Sequence, residues 1–512
     1  MNNTFKMILA CALMLPIAGC GAGKKNSVAG SDVITGAYDM TITGYDWGCG
    51  TDSIIMNLDH PLDAVTTDSF TVTEHKQATN FMAEGFPVEE VDVPRQVTNA
   101  YLVDESGKKT TEPSTHVKLE LYVSPNDGSP LLFSFPSMMN TWSKPYTLTV
   151  TKAENAKLTS NGIEIKDFTI SIDPASKTTS VDKFKIDTFK AKDGVTYQYA
   201  SYTPEGGSKT LVVWLHGLGE GGTENTDPSV TLLANKAAVL GDESFQSTVG
   251  GANVLVPQCP TYWMDNDGKM TNFTGGGIQA DGTSHYLESL HELIAKYKEE
   301  TGSTKVVIAG CSNGGYMTVN MIITYPDYFA AAVPICEAYA YHEYARNADG
   351  TYKAKDIEVS AGGENSAVSK FEETKKLWVT KEKIQKMKKT PVWFIAAADD
   401  GIVTPHKFSL PTYRDLLKAG ADNAWYSYYE NVTGTDEPNS RFPGHFSWIY
   451  FLNNQVEGVQ NRDKIKNSKD ETTFGFEPSN AGKGGSEKAQ LKGKTFENVF
   501  EWMNFQKKSR KK

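Results

Sequence analysis

The rhythm of hydrophobic and polar positions changes near residue 180. From Ile34 to Ile172 it has period two. Val117-Lys-Leu-Glu-Leu-Tyr-Val123 alternates cleanly, as do Met40-Thr-Ile-Thr43, Tyr146-Thr-Leu-Thr-Val150 and Phe168-Thr-Ile-Ser-Ile172. Side chains that alternate across a pleat give one buried and one solvated face. Turn-forming clusters such as Ser124-Pro-Asn-Asp-Gly128 separate the runs. The pattern predicts an antiparallel sandwich of short strands, with no helix longer than a couple of turns. Asp59, His60 and His75 are expected in solvated loops.

From about Lys183 the apolar runs become continuous. Leu211-Val-Val-Trp-Leu215, Val254-Leu-Val256, Val306-Val-Ile-Ala309, Ala330-Ala-Ala-Val333 and Val392-Trp-Phe-Ile395 read as strands buried on both faces. Between them lie helical patterns, such as Tyr286, Leu290, Leu293, Ile294 and Tyr297 ahead of the Val306 strand. This alternation predicts a mostly parallel, doubly wound α/β sheet. The polar stretch Ala340–Thr390 interrupts it and reads as a lid or cap. A second insertion, about Asn431–Arg441, precedes the last histidine.

The chain of 512 residues is too long for one ordinary domain of roughly 150 residues. Two domains are expected, residues 34–178 all-β and residues 183–506 α/β. Lys and Arg number 51 against 62 Asp and Glu, a formal charge of −11, which argues against a nucleic-acid partner. Past the N-terminus no stretch is long and apolar enough to span a bilayer.

The first 20 residues read as an address. Lys6 precedes the apolar run Met7–Ile17, which is too short for a stable transmembrane helix. The run ends in Ala18-Gly19-Cys20, which resembles a bacterial lipobox and implies that Cys20 is lipidated. Residues 21–33 then act as a flexible tether, and residues 507–512 form a basic tail. An extracytoplasmic protein, anchored to the cell membrane through lipid, is expected. Cys49, Cys259, Cys311 and Cys336 show no zinc or disulfide spacing, and one bridge stays open. Asp265-Asn-Asp-Gly268 has part of a calcium loop and reads as a surface turn. No metal and no cofactor is expected.

The sharpest chemical signal is Gly310-Cys-Ser312-Asn-Gly314-Gly315. It follows a β-branched strand and opens a helical pattern, the context of a nucleophile elbow. A serine hydroxyl needs a base to become a good nucleophile. His445, in Pro443-Gly-His-Phe-Ser-Trp448, is the best-placed imidazole after Ser312; His342 and His406 read as surface residues. The third member is expected on the loop after a late strand, where Asp399 and Asp400 both qualify and Asp400 is preferred. The loop His216-Gly-Leu-Gly-Glu220 is suited to aim backbone donors, so Leu218 and Asn313 N–H are the expected oxyanion hole. His216 reads as a loop brace.

With these motifs in place, the C-terminal part resembles the α/β-hydrolase superfamily. More closely, it is similar to bacterial extracellular esterases of the poly(3-hydroxybutyrate) depolymerase and feruloyl esterase groups, including those with an immunoglobulin-like N-terminal domain. The carrying residues are His216–Gly219, Pro257–Pro260 with Trp263, Gly310–Gly315, Asp400–Pro405 and Gly444–Trp448, and the stretch Tyr38–Gly50 of the first domain. Ala396-Ala-Ala398 departs from the His-Gly often found before the acid. The resemblance implies hydrolysis of carboxylic esters through an acyl-enzyme but no particular substrate; a small-molecule or polysaccharide-linked ester is expected. Gly217, Gln258, Trp263 and Trp448 are the expected substrate contacts. The alternative is a serine peptidase of prolyl oligopeptidase type. That family usually carries a propeller, and no repeat for one precedes Lys183.

Overall fold

The computed structural model describes residues 29–80, 82–134, 137–223, 226–271, 279–355, 367–437 and 440–507. The expected signal, Cys20, most of the tether and all of the basic tail except Lys507 lie outside the described residues.

The first domain is a β-sandwich. Its strands are β1 (Val33–Tyr45), β2 (Gly48–Leu62), β3 (Phe70–Thr79), β4 (Val88–Arg95), β5 (Val97–Val103), β6 (Ser114–Leu121), β7 (Leu131–Ser134), β8 (Met139–Trp142), β9 (Tyr146–Lys152), β10 (Thr159–Ser160), β11 (Ile163–Glu164), β12 (Asp167–Ile170) and β13 (Ser176–Thr179). One sheet has the order β12-β1-β2-β6-β5, and β4-β3-β9 forms another. The alternating residues explain the packing: Tyr38, Met40, Ile54, Met56, Val117, Leu119 and Leu148 are fully buried, and their neighbours are not.

Two expectations need correction. The sandwich is not wholly antiparallel, because β12 and β13 run parallel to β1. Asp59, His60 and His75 lie on strands rather than loops. Asp59 takes hydrogen bonds from the Thr35 N–H and hydroxyl, and His75 bridges Asp92 and Thr149 across three strands.

The second domain holds β14 (Lys185–Lys190), β15 (Thr196–Tyr202), β16 (Thr210–Leu215), β17 (Asn253–Gln258), β18 (Lys305–Cys311), β19 (Ala331–Ile335), β20 (His342–Tyr344), β21 (Glu373–Leu377), β22 (Val392–Ala397) and β23 (Ala424–Tyr429). The main sheet runs β14-β15-β17-β16-β18-β19-β22-β23. It is antiparallel on both sides of β15 and parallel from β17 to β23. All residues of β17, β19, β22 and β23 are buried, as continuous apolar runs require. Helices Leu287–Glu300 and Asn313–Thr324 follow the predicted patterns.

The chain passes from β16 to β17 on one side and returns to β18 on the other. Strand order therefore reverses at β16, and the carboxyl ends beside such a switch point leave a crevice. A contiguous apolar core joins the sandwich to one face of this sheet, through Tyr38 and Leu148 on one side and Val212 and Trp214 on the other. The expected lid segment contains the β20–β21 hairpin and an aromatic cluster of Tyr344, Tyr352, Phe371 and Trp378. The four cysteines left after Cys20 are free and buried.

Candidate active site

The groups that matter stand at the carboxyl ends of β16, β18 and β22. Cys311 ends β18 and Ser312 follows at φ 54°, a backbone region that non-glycine residues seldom enter. Helix Asn313–Thr324 starts at the next residue. Such a turn is possible only where strand and helix come very close. A Cβ at Gly314 would sit 2.1 Å from the Leu215 carbonyl oxygen, and one at Gly310 would sit 2.6 Å from the Gly314 oxygen. The Ser312 N–H donates to Ile335 O on the neighbouring strand at 2.9 Å, which holds the strained residue in place.

His445 lies 133 residues further on, in a short helical turn that buries Gly444 and His445. Its Nδ1 is 2.9 Å from Asp400 Oδ2, and its Nε2 is 2.8 Å from Ser312 Oγ. An ionised carboxylate only accepts, so Nδ1 carries the proton and Nε2 accepts from the serine hydroxyl. Asp400 is 2% exposed and His445 6%. The other Asp400 oxygen accepts from the Ile402 and Val403 N–H groups, each at 2.9 Å. Asp399 turns away and pairs with Arg441 at 2.8 Å. Asp400, the preferred acid, is therefore the one that meets the imidazole.

The loop after β16 is braced from below. His216 is fully buried. Its Nε2 accepts from the Cys259 N–H at 2.9 Å, so Nδ1 donates to the Gly217 carbonyl at 2.6 Å. Burial lowers its pKa to about 4 and keeps it neutral, as a brace should be. Gln258 Nε2 donates to the Glu220 carbonyl at 3.1 Å. Trp263 is fully buried against His216, and its backbone N–H donates to Asn313 Oδ1 at 2.5 Å.

A cavity of about 460 Å³ opens beside Ser312. Gly217, Leu218, Asn313, His445 and Trp448 line it, so these sequence-predicted residues share one space with the serine. Gln258 and Trp263 do not line it. The Gln258 amide instead meets the Glu220 carbonyl and the Trp263 backbone N–H meets Asn313. His342 and His406 are also absent from the lining. Of the expected lid, Val368 reaches the cavity.

Further residues, none of them predicted as a site residue, also line the cavity. Met264, Ile402 and Val403 come from the α/β domain, while Trp47, Phe133, Met138 and Asn140 come from the sandwich. Glu220 is the other surprise. Burial raises its pKa to about 7, opposed by the Gly217 N–H, by Asn140 and by His445. Among the described residues no Lys or Arg lines the cavity. Among the described residues no cluster of His, Cys, Asp or Glu fits a metal ion, and Asp265 lies within a turn, bonded to Thr261 and Met270.

Residues 37–164 match the family model described as the esterase Ig-like N-terminal domain. Residues 282–433 match that of the prolyl oligopeptidase family. Among solved structures, the chain is similar to a thermostable esterase at 23% identity, over 82% of this chain and 96% of that one, with a TM-score of 0.58. It is also similar to a ferulic acid esterase, at 14% identity over 53% and 93% of the two chains, with a TM-score of 0.34. A carboxyl esterase from Bacillus coagulans, solved with glycerol, gives 13% identity over 48% and 89%, with a TM-score of 0.30. No curated protein matches the chain.

Proposed function

We propose that this chain, an esterase-type α/β-hydrolase carrying an Ig-like N-terminal domain, cleaves carboxylic esters through an acyl-enzyme on Ser312. The observation that carries the reading is the line of hydrogen bonds from Asp400 through His445 to Ser312 beside an apolar cavity. His445 Nε2 takes the hydroxyl proton as Ser312 Oγ bonds to the ester carbon. The carbonyl electron pair moves onto oxygen, where the Leu218 and Asn313 N–H groups receive the charge. The alcohol leaves with the proton from Nε2. Water then repeats the sequence, and the acid departs with Ser312 restored. Asp400 keeps Nδ1 protonated and stabilises the imidazolium.

The lining favours neutral esters with apolar groups. Besides His445 its ionisable members are the carboxyl groups of Asp46 and Glu220 and the thiol of Cys311, so a substrate carboxylate would meet no Lys or Arg among the described residues there. The match of residues 282–433 keeps one second reading, a serine peptidase of prolyl oligopeptidase type. Short acyl p-nitrophenyl esters, feruloyl sugars, acetylated xylan and Pro-containing chromogenic peptides separate the two. Turnover of esters alone is expected; turnover of the peptides alone would reverse the assignment.

The sequence also supports a lipid anchor at Cys20 and an extracytoplasmic location. Two acyl signals hold stably where one holds marginally. No helix among the described residues is long and apolar enough to cross a membrane. Cys20→Ala is expected to move the protein from the membrane to the soluble fraction; continued sedimentation with membranes would refute the anchor.

A further inference from the structure

We infer that the N-terminal domain sets which esters the enzyme accepts, with Phe133, Met138 and Trp47 as specificity-determining residues. The inference rests on the ester reading above and deepens it. Phe133 and Met138 belong to the β7–β8 hairpin, and Trp47 to the turn between β1 and β2. All three line the cavity that Ser312 and His445 also line.

This wall is held from behind. Within the sandwich, the Thr79 hydroxyl donates to Phe133 O at 2.6 Å. Across the domain boundary, Trp142 Nε1 donates to Asp227 Oδ2 at 2.8 Å. Asn140 Nδ2 reaches Glu220 Oε1 at 3.4 Å. The hairpin also lies directly on the loop expected to hold the oxyanion. A Cβ at Gly219 would fall 2.9 Å from Asn140 Nδ2 and 3.6 Å from Phe133 Cε2.

Met138 has φ 57°, a left-handed conformation that is strained for a residue with a Cβ. Strain of this kind persists where the surroundings over-determine it. Here the strained residue is part of the cavity wall.

Trp47 is fixed in the same way. It stacks on Tyr45 at 5.1 Å between ring centroids and on Phe442 of the α/β domain at 6.4 Å. Asp46, next to it, accepts from Thr435 N–H, Asn453 Nδ2 and Lys236 Nζ of the second domain.

Phe133, Met138 and Trp47 therefore form a preformed apolar patch, with Asp46 and Asn140 of the same domain beside it, and that domain supplies no reacting group. An apolar wall discriminates by size: each methylene is worth about 1–3 kcal/mol, or roughly 10- to 200-fold. The substrates it selects are neutral esters graded by the bulk of their apolar part.

The test uses the full chain. Phe133→Ala and Met138→Ala make room, whereas Phe133→Trp fills it. Two series are measured: p-nitrophenyl esters from acetate to dodecanoate, and acetates of alcohols of rising length. In at least one series, the kcat/KM ratio of long to short substrate is expected to rise about tenfold in the Ala variants and to fall in Phe133→Trp. Phosphonylation of Ser312 by short- and long-chain p-nitrophenyl alkylphosphonates reads the same wall without ester turnover. A wild type that turns over no ester would sink the ester reading, while the phosphonate ratio would still decide the wall. Phe133→Leu, with a smaller rise, serves where an Ala variant fails to fold. Ratios within about twofold of wild type in every series, in variants with native melting curves, would overturn the inference.

Discussion

On the α/β side of the cavity, reactive groups sit at strand ends and depend on close backbone packing. Ser312 holds a positive φ because Gly310 and Gly314 leave no space between strand, helix and the Leu215 carbonyl. On the sandwich side, the wall is apolar side chain held by polar contacts behind it. The two buried carboxyl groups at this boundary show the same contrast. Burial pushes the Asp46 carboxyl up, but Asn453, Lys236 and the N–H groups of Thr435 and Asp436 outweigh it and hold the group below its usual range. Glu220 has weaker help from Gly217 and Asn140, so burial prevails and its pKa rises to about 7. Equal residue chemistry thus yields a charged latch on one side and, on the other, a carboxyl that holds its proton up to about neutral pH. The number of donors around each decides which.

The division of labour can be broken first at its reactive end. Ser312→Ala is expected to lower p-nitrophenyl acetate turnover by at least about 10⁴-fold with an unchanged melting curve. Retained activity would place the nucleophile elsewhere. Next, Asp400→Asn should cost about 10³- to 10⁴-fold in kcat, because the imidazole loses its tautomer control. Asp399→Asn, which loses only the pair with exposed Arg441, should cost less than about tenfold. A larger loss at Asp399 would exchange the two roles.

The latch is the next largest effect. Asp46→Ala removes a 2%-exposed carboxylate with at least three hydrogen-bond donors and leaves Lys236 half-compensated. A loss of about 3 kcal/mol in urea unfolding is expected. A loss under about 1 kcal/mol would mean that this latch adds little to the joining of the domains.

The most gradual effect is a pH slope. Glu220 titrates near 7 in the fold and near 4.5 in an unfolded chain. Between those values the folded state binds the extra proton, so stability falls as pH rises, by about 3 kcal/mol in all. Glu220→Gln should flatten that slope between pH 5 and 8. Asp46 has the opposite sign, since its lowered value costs stability as pH falls. An unchanged slope in Glu220→Gln would show that the carboxyl is solvated.

Much of the fold was legible because it is local. Period two marked the sandwich strands, continuous apolar runs marked the central sheet, and the Gly-Cys-Ser-Asn-Gly turn marked the elbow. Legibility failed where a residue's surroundings come from far along the chain. Trp263 and Gln258 carried a family likeness, yet the Gln258 amide meets the Glu220 carbonyl, the Trp263 backbone N–H meets Asn313, and neither residue lines the cavity. Phe133 and Met138 sit in a hairpin without any chemical motif, and their place beside Ser312 comes from docking two domains. The β12 run read as an ordinary short strand, β13 lies beyond the last run with a strand pattern, and nothing local specifies the parallel pairing of either with β1.

The sequence by itself determined the two kinds of sheet, the sharp turn at Ser312 and the late loop that carries His445. Each follows from side-chain period, glycine spacing or turn chemistry within about ten neighbours. Tertiary structure alone decided that Asp400 faces the imidazole while its neighbour meets Arg441, that Glu220 is buried beside the cavity, and that the sandwich completes the wall. Those outcomes depend on which surfaces meet after folding. A side chain's charge state and its access to a cavity belong to that meeting, and no short stretch of sequence contains both sides of it.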